Sequence, residues 1–488
     1  MQTIPKRFIF ARRAIWLFLT LSFLYLVYNF YRAEVIYQGE MDKKYFKYHI
    51  IFFSLTLFWA MILRLEKNTQ LNIAMITTSL IIGILLLEVT LNFKDSFKVS
   101  DSRSIYEVYQ DLRNQKIDAV PSIFPAMFLE TNGLLGKVPL FPLAGISKKT
   151  TVFCNETGQY AIYPSDRFGF NNPDTEWDSP KGEWVLVGDS FTHGACVKPG
   201  EDIGGQIRSI TKEKTLNLGM AGSGSLLMLA ALKEYATFVK PKKMLWLYYE
   251  GNDMDELELE KKSAVLRNYL QPQFSQNLIS RQIDIDNRLS IFIHKAEQKL
   301  KAIHLPNQPL QITKRAEELA SPSTIDELGI THKHGLLHKI LMLTKIVRLF
   351  HIRTLIGFDR DFKAQNVIKQ TESMDVNPLF TEILQIAKSV TTAWGGKLYF
   401  IYLPDKNRYL QSTYNHDLFL KRKEVIAVAK NLDLSVIDIH EEVFANHPYP
   451  RSLFQTQSRS TGAHYNARGY NEISKAIVLK VTGEKVVN

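Results

Sequence analysis

The chain has 488 residues, a length that favours more than one structural unit. Its composition, 45% hydrophobic and 22% charged, excludes an intrinsically disordered chain. The formal net charge of +11 is unevenly placed, because residues 1–47 hold eight basic and three acidic side chains, residues 48–93 hold two of each, and the remainder carries +6. An excess this small over 395 residues, with no Lys/Arg block, argues against nucleic acid as a partner.

Three uncharged apolar runs open the chain, at residues 14–31, 48–63 and 71–87. A helix of about 20 apolar residues crosses a bilayer, and flanking Arg, Lys and Tyr side chains extend shorter runs. No A-x-A-like cleavage site follows the first run, so we interpret it as a helix and not as a signal peptide. We predict a membrane anchor over 1–93 with helices at about 14–31, 48–64 and 71–92. A hairpin arm or an interfacial segment is the alternative for the second helix.

Basic side chains set the expected orientation of these helices. Four precede the first helix and two lie in the second loop, against four in the first loop. The positive-inside rule then favours a cytoplasmic N-terminus, and three crossings place everything after residue 93 outside the cytoplasm. We therefore expect a multi-pass protein of a bacterial-type inner membrane. Both cysteines, Cys154 and Cys196, fall in the exported part, where either a disulfide or two free buried thiols is permitted.

The exported part is predicted to contain a parallel sheet. Residues 94–182 are broken by prolines and are interpreted as a stem and preface. From 183 to 488, strand-like apolar runs alternate with helical segments, which indicates an α/β domain covered by helices on both faces. A mostly helical insertion at about 255–377 interrupts it. The basic amphipathic stretch 335–358 within the insertion fits a helix packed on the core or, alternatively, one resting on the bilayer.

The stretch WVLVGDSFTHGACV (184–197) places Ser190 directly after a buried strand. Functional groups gather at the carboxyl ends of parallel strands, although a helix cap explains a lone Gly-Asp-Ser equally well. Three later stretches supply the other parts of a serine hydrolase: LNLGMAGSGS carries Gly222, YYEGND carries Asn252 and GAHYNARGY carries His464. An imidazole activates a serine hydroxyl at neutral pH. The Ser190 N–H, Gly222 N–H and Asn252 amide are candidate donors to the oxyanion of an ester under attack.

In order and residue type, these four motif positions resemble the SGNH (GDSL-like) hydrolase family, and residues 163–174 resemble the preface of membrane-tethered members. The resemblance implies a flavodoxin-like three-layer α/β/α sandwich, a serine nucleophile, and ester hydrolysis or acyl transfer without a cofactor. Two positions depart from the family pattern. Glu250 stands where the third motif usually has glycine, and Thr461 stands where an acid usually precedes the histidine. Asp438 and Glu441 are the nearest carboxylates along the chain, and the third member of the triad stays open.

Neighbouring polar residues have simpler expected roles. Asp189 and Asp253 are predicted to support the turns after their strands by accepting backbone N–H groups, and His193 is interpreted as a loop histidine. No cluster of His, Cys and carboxylate residues has metal-ligand spacing, so no metal site is predicted.

Taken together, the sequence predicts a membrane-anchored extracytoplasmic serine esterase or acyltransferase. The anchor and the resemblance point to O-acetyl groups of a cell-surface or secreted polysaccharide, so the expected partners are the lipid bilayer, an acylated carbohydrate and other polysaccharide-assembly proteins. A non-catalytic scaffold in envelope polysaccharide assembly is one alternative, and both the missing acid at Thr461 and the long insertion favour it. A lipid-directed esterase or thioesterase is the other.

Overall fold

The computed structural model describes residues 5–36, 42–96, 101, 103–134, 139–178, 183–303, 352, 376–409, 421–455 and 464–483. The described part of the chain is mostly helical and divides into two compact units. The first contains the residues up to 96 together with Ile352, and the second contains the other described residues.

The first unit consists of three long helices: α1 (Lys6–Tyr31), α2 (Asp42–Ile62) and α3 (Lys67–Ser96). Three helical stretches, Lys6–Val35, Tyr45–Ile62 and Lys67–Leu91, are long and apolar enough to cross a membrane. Most of their large apolar side chains are exposed, as expected for surfaces that face lipid. Three N-terminal apolar helices therefore support membrane association. Of the amphipathic stretch 335–358, only Ile352 lies within the described residues, and its N–H donates to the buried Glu88 carboxylate at 2.9 Å.

The second unit contains a five-stranded parallel sheet in the order β5-β4-β6-β7-β8. Its strands are β4 (Trp184–Val187), β5 (Thr215–Asn217), β6 (Lys243–Tyr249), β7 (Lys397–Leu403) and β8 (Ser435–Asp438). In β4, Leu186 is paired with Asn217 on one side and with Leu245 on the other. The strands that the sequence predicted in the second unit therefore form one parallel sheet, and β4 lies between two neighbours.

Helices pack on both faces of this sheet because its strands are apolar on both sides. The helices that follow β4 are α5 (Ser190–His193), α6 (Ile203–Thr211), α7 (Ser225–Ala231), α8 (Thr237–Val239), α9 (Asp253–Glu260), α10 (Ala264–Asn268), α11 (Gln282–Ile303), α12 (Pro378–Ala393), α13 (Arg422–Asn431) and α14 (Ala467–Thr482). Helices α7, α12 and α13 share a core with one face, and α6 and α14 share a core with the other. A π-helical segment, Leu232–Ala236, joins α7 to α8.

The segment predicted as stem and preface, 94–182, is divided: residues 94–96 complete α3, and its other described residues belong to the same compact unit as the parallel sheet. They include α4 (Ile105–Asn114) and a small sheet of β1 (Ala119–Pro121), β2 (Thr150–Val152) and β3 (Ile162–Pro164). Strands β1 and β2 are parallel, whereas β2 and β3 are antiparallel. Asn172 exchanges hydrogen bonds with the backbone of Asn217 in β5, which fixes the preface to the large sheet. The predicted insertion at 255–377 is helical where it is described, and residues 304–351 and 353–375 of it lie outside the described residues.

Candidate active site

Ser190 lies just after the carboxyl end of β4, in a turn that has no space for a side chain at position 188. A Cβ atom on Gly188 would lie 2.0 Å from Thr192 Oγ1, so only glycine fits there. The buried Asp189 accepts a hydrogen bond from Phe191 N at 2.9 Å and caps the short helix α5. Burial raises the pKa of Asp189 to about 6. The chain therefore leaves the sheet at Val187 and presents Ser190 three residues later, at the first position of α5.

His464 contacts Ser190 although the two residues are far apart in the sequence. Its Nε2 atom lies 2.8 Å from Ser190 Oγ. The backbone of His464 accepts from Gln455 N, and the imidazole packs on the Phe191 ring, with 4.6 Å between ring centroids. Asn466 then caps α14 through Gly469 N. The two residues predicted as nucleophile and base are thus brought into direct hydrogen-bond contact across 274 positions of sequence.

The carboxylate that contacts His464 is that of Glu156, a residue not predicted from the sequence. One carboxylate oxygen lies 2.9 Å from His464 Nδ1, and the other accepts from the His464 backbone N–H at 3.0 Å. An ionised carboxylate only accepts hydrogen bonds, so Nδ1 carries the proton and Nε2 is left to accept from the Ser190 hydroxyl. This is the tautomer that a general base needs.

The carboxylates considered from the sequence do not occupy this position. Asp438, at the end of β8, and Glu441, just after it, both pair with Arg422. Thr461 lies outside the described residues. Glu156 belongs instead to the loop between β2 and β3, in the preface. Distance along the chain was a poor guide, because the acid comes from a separate small sheet 34 positions before the nucleophile.

Gly222 lies in a turn beside α5, the short helix that begins at Ser190. Ser223 N donates to Met220 O at 3.2 Å, and Gly222 has a φ of +72°, the left-handed conformation that glycine adopts at no cost. Met220 N donates to Gly188 O at 3.1 Å, which fixes this turn to the end of β4. A Cβ on Gly222 would lie 2.9 Å from the Cβ of Ala126 in the preface. The Gly222 turn therefore lies beside the Ser190 turn.

Asn252 lies just after β6, the strand on the other side of β4. The Tyr249 ring at the end of that strand stacks on Phe191 at a centroid distance of 3.8 Å. The Asn252 side-chain amide donates to Glu256 Oε1 at 2.8 Å. Because an amide nitrogen carries two N–H groups, a second donor remains beside this bond. Gly222 and Asn252 thus follow β5 and β6, the two strands beside β4, and lie at the same edge of the sheet as Ser190.

Glu250, which departs from the family pattern, has a structural role. Its carboxylate forms a fully buried ion pair with Arg408, accepts from Asp405 N at 2.6 Å, and contacts the Tyr402 hydroxyl. These contacts join the end of β6 to the segment after β7. Glu250 therefore stabilises the turn that carries Asn252 by linking it to the segment after β7.

Buried acids lie behind the nucleophile turn. Asp253 accepts from Tyr249 N at 3.0 Å, as predicted for a residue that supports its turn. Burial and the neighbouring Asp189 carboxylate raise the pKa of Asp253 well above its ordinary value. Burial and the Asp189 charge also raise the pKa of Glu256 well above its ordinary value. These raised pKa values favour protonated carboxyl groups beneath the site.

His193 is buried and links the preface to the Gly222 turn. Its Nε2 atom lies 2.8 Å from the Tyr163 hydroxyl, and Nδ1 accepts from Ala221 N at 3.4 Å. The imidazole stacks on Phe153 with 4.1 Å between centroids. Burial, reinforced by the nearby His464, lowers the pKa of His193 to about 3, so the ring is neutral and accepts at Nδ1. His193 supports the Gly222 turn from beneath.

Cys154 and Cys196 form a disulfide with 5.2 Å between their Cα atoms. Cys154 lies two residues before Glu156, and Cys196 lies six residues after Ser190. Polar atoms of Cys196, Glu156 and His464 lie within 4.8 Å of one another. Because the Cys196 sulfur is bonded to Cys154, this group does not present the thiolate that a metal ion binds. The disulfide is packed directly against the acid–base pair.

Comparisons with known proteins add little to this geometry. No protein-family model and no curated protein matches the chain. A solved crystal structure aligns with 62% of this chain and 97% of its own at 11% identity, with a TM-score of 0.28. A similarity at that TM-score carries no argument about fold or function.

Proposed function

We propose that the protein is a membrane-anchored, extracytoplasmic serine esterase or acyltransferase of the SGNH type. The observation that carries this proposal is the continuous hydrogen-bonded series from Ser190 Oγ through His464 to the Glu156 carboxylate, with contacts of 2.8 and 2.9 Å. A nucleophile, a base in the required tautomer and an orienting acid are the parts that acyl transfer through serine needs.

In the proposed mechanism, His464 Nε2 removes the Ser190 proton as Oγ attacks the ester carbonyl. Donors from Ser190 N–H, Gly222 N–H and Asn252 stabilise the tetrahedral oxyanion. Protonated His464 then donates that proton to the leaving alcohol, and an acyl-enzyme remains on Ser190. Water or a sugar hydroxyl, deprotonated by His464, attacks the acyl-enzyme, and protonated His464 returns this proton to Ser190 Oγ as the acid or ester product leaves. The Glu156 carboxylate stabilises the imidazolium form of His464 at each step.

The topology supports assignment to the SGNH family. The parallel sheet has the order 2-1-3-4-5 when its strands are numbered from β4, which is the order of flavodoxin-like doubly wound sheets. The residues that carry the resemblance also stand at equivalent positions. Ser190, Gly222 and Asn252 follow the carboxyl ends of three adjacent parallel strands, and His464 precedes the last helix.

The anchor and the disulfide support an extracytoplasmic location. Three apolar helices precede the domain, and basic residues favour a cytoplasmic N-terminus. A disulfide between Cys154 and Cys196 persists in oxidising compartments and is rare in the cytosol. A domain held at the outer face of an inner membrane meets surface polysaccharides, so we propose their O-acetyl groups as the substrate.

The experiment compares the full-length protein in detergent with its Ser190→Ala variant. We expect labelling by a fluorophosphonate probe and hydrolysis of p-nitrophenyl acetate in the parent, and loss of both in the variant. Ser389→Ala is the matched control, because Ser389 is exposed on α12 and bonds only its own helix at Gln385 O. Equal labelling of the parent and Ser190→Ala would refute the nucleophile assignment.

A second assay separates transfer from hydrolysis. Acetate release and O-acetylation of an added oligosaccharide are measured together after acetylation of Ser190 by the nitrophenyl ester. Of the two observations that favour a non-catalytic scaffold, the missing acid at position 461 is weakened by the Glu156–His464 contact, and the long insertion remains. Absence of labelling in the folded parent would favour the scaffold. A preference for long-chain esters would indicate a lipid-directed enzyme.

A further inference from the structure

The loop that carries Glu156 is attached to the nucleophile loop through one covalent bond. It connects β2 to β3, and its base is closed by Phe153 N donating to Ala161 O and Ala161 N donating to Cys154 O. Asn155–Tyr160 therefore project from a small three-stranded sheet, which is separate from the sheet that carries Ser190. Within the described residues, Cys154–Cys196 is the covalent cross-link between these two parts of the domain.

The disulfide lies close to the proposed acid, Glu156. Cys154 lies two residues before Glu156 and is half-buried, whereas Cys196 is 3% exposed and packs with Phe153, Tyr163 and Ala195. The Cys196 sulfur, a Glu156 carboxylate oxygen and a His464 ring nitrogen lie within 4.8 Å of one another. Any outward movement of the Cys154 end of the loop therefore moves the Glu156 carboxylate away from the imidazole.

We propose that the Cys154–Cys196 disulfide is a positioning element for Glu156, so that its oxidation state sets the activity of Ser190. This inference rests on the proposed function. A dithiol reduces the bond by transferring two electrons: the protein disulfide becomes two thiols, and the reductant becomes a disulfide. Cys154 is the accessible end for such exchange. In the reduced protein the loop keeps its attachment to β2 and β3 and its hydrogen bonds to Asp101 and Arg103, but it loses its covalent attachment to the Ser190 loop. The position of Glu156 against His464 is then no longer fixed.

The direct test compares oxidised, reduced and reoxidised forms of the full-length protein in detergent. The reductant is removed by desalting and the thiols are capped with iodoacetamide before assay, because free thiols attack activated esters. We expect kcat for p-nitrophenyl acetate to fall by ~10²-fold or more on reduction, within the ~10⁴-fold range for loss of a triad acid, with little change in KM. An uncapped sample that is reoxidised should recover full activity.

A double-mutant cycle separates positioning from general stabilisation. Cys154→Ser/Cys196→Ser is compared in the parent and in a Glu156→Gln background. If the disulfide acts through Glu156, removing it costs ~10²-fold in the parent and almost nothing once Glu156 has been replaced. An equal loss in both backgrounds, or full activity of the reduced parent, would overturn the inference. If the Cys154→Ser/Cys196→Ser variant does not accumulate, reduction of the folded parent also removes the cross-link.

Hydrogen–deuterium exchange gives a readout that does not depend on activity. Peptides covering 155–160 should exchange faster in the reduced protein, while peptides of the buried strands β6 and β7 should not. Unchanged exchange in the loop would contradict positioning even if activity fell. If the oxidised parent neither labels at Ser190 nor hydrolyses esters, the proposed function fails, and faster loop exchange would then identify the disulfide as a purely structural cross-link.

Discussion

Replacement of Glu156 by glutamine tests the triad most sharply, because the two side chains have nearly the same shape. The Glu156 carboxylate faces two donors, His464 Nδ1–H at 2.9 Å and the His464 backbone N–H at 3.0 Å. Glutamine has only one oxygen. Its NH₂ group therefore faces either the imidazole, which forces Nδ1 to give up its proton, or the backbone N–H, which leaves two donors in contact. In the first case Nε2 carries the proton and does not accept from Ser190.

We expect Glu156→Gln to lower kcat for p-nitrophenyl acetate by ~10³–10⁴-fold, as loss of the correct histidine tautomer does in a serine protease. At 1.36 kcal/mol per tenfold change, this equals about 4–5 kcal/mol of transition-state stabilisation. KM should change little, because the Glu156 carboxylate contacts the base His464 and is not one of the proposed substrate-binding groups. Glu130→Gln, at an exposed position of the preface, is the matched control and should retain parental kcat. A loss smaller than about tenfold would refute Glu156 as the orienting acid.

Three further predictions concern the support of the site. Gly222→Ala should lower kcat by ~10²–10³-fold, because the φ of +72° and the 2.9 Å approach to Ala126 displace the oxyanion donor; steady-state kinetics at unchanged circular dichroism checks it. His193 has a folded pKa of about 3, below its unfolded value of ~6.5, so its contribution to stability is complete above pH ~6.5 and is lost as the pH falls towards 3. Relative to His193→Gln, the parent should lose about 1.4 kcal/mol of unfolding free energy per pH unit below that value, measured by urea unfolding; a parallel pH dependence would contradict a neutral buried imidazole. Glu260→Ala should lower the unfolding free energy by about 3 kcal/mol, because it leaves Gly224 N and Leu226 N without their carboxylate acceptor; a change below about 1 kcal/mol would show that water replaces it.

The parts of the site that were predictable from the sequence are those that follow sheet strands. Ser190, Gly222 and Asn252 each come directly after an apolar run, and parallel strands bring their carboxyl ends to one edge. This rule requires no knowledge of long-range contacts. The strands and helices of the large sheet were recognisable for the same reason, since an apolar run of four to seven residues between glycine or polar turns identifies a buried strand.

Glu156 was not predictable in this way, because it belongs to a loop outside the large sheet. Its neighbours in sequence, Asn155 and Thr157, carry no apolar period and no motif. The available signal was the cysteine pair. A bridge from Cys154 to Cys196 brings position 156 close to the turn after Ser190, yet pairing was one of two alternatives from the sequence. The search for an acid near His464 along the chain led instead to Asp438 and Glu441, whose charges are matched by Arg422.

Under the proposed function, the preface is part of the catalytic unit because it supplies the acid. Ser190 follows a strand of the large sheet and His464 precedes α14, but Glu156, the Ala126 contact over Gly222 and the Tyr163 hydroxyl on His193 all come from residues 119–164. Removing Glu156 alone would leave the His464 imidazole without its orienting acid, whereas deleting residues 119–164 would also expose the core that Val120, Ile123 and Phe128 share with the large sheet. Because one covalent bond joins the two parts beside the proposed triad, we expect its oxidation to complete the site after both parts have folded.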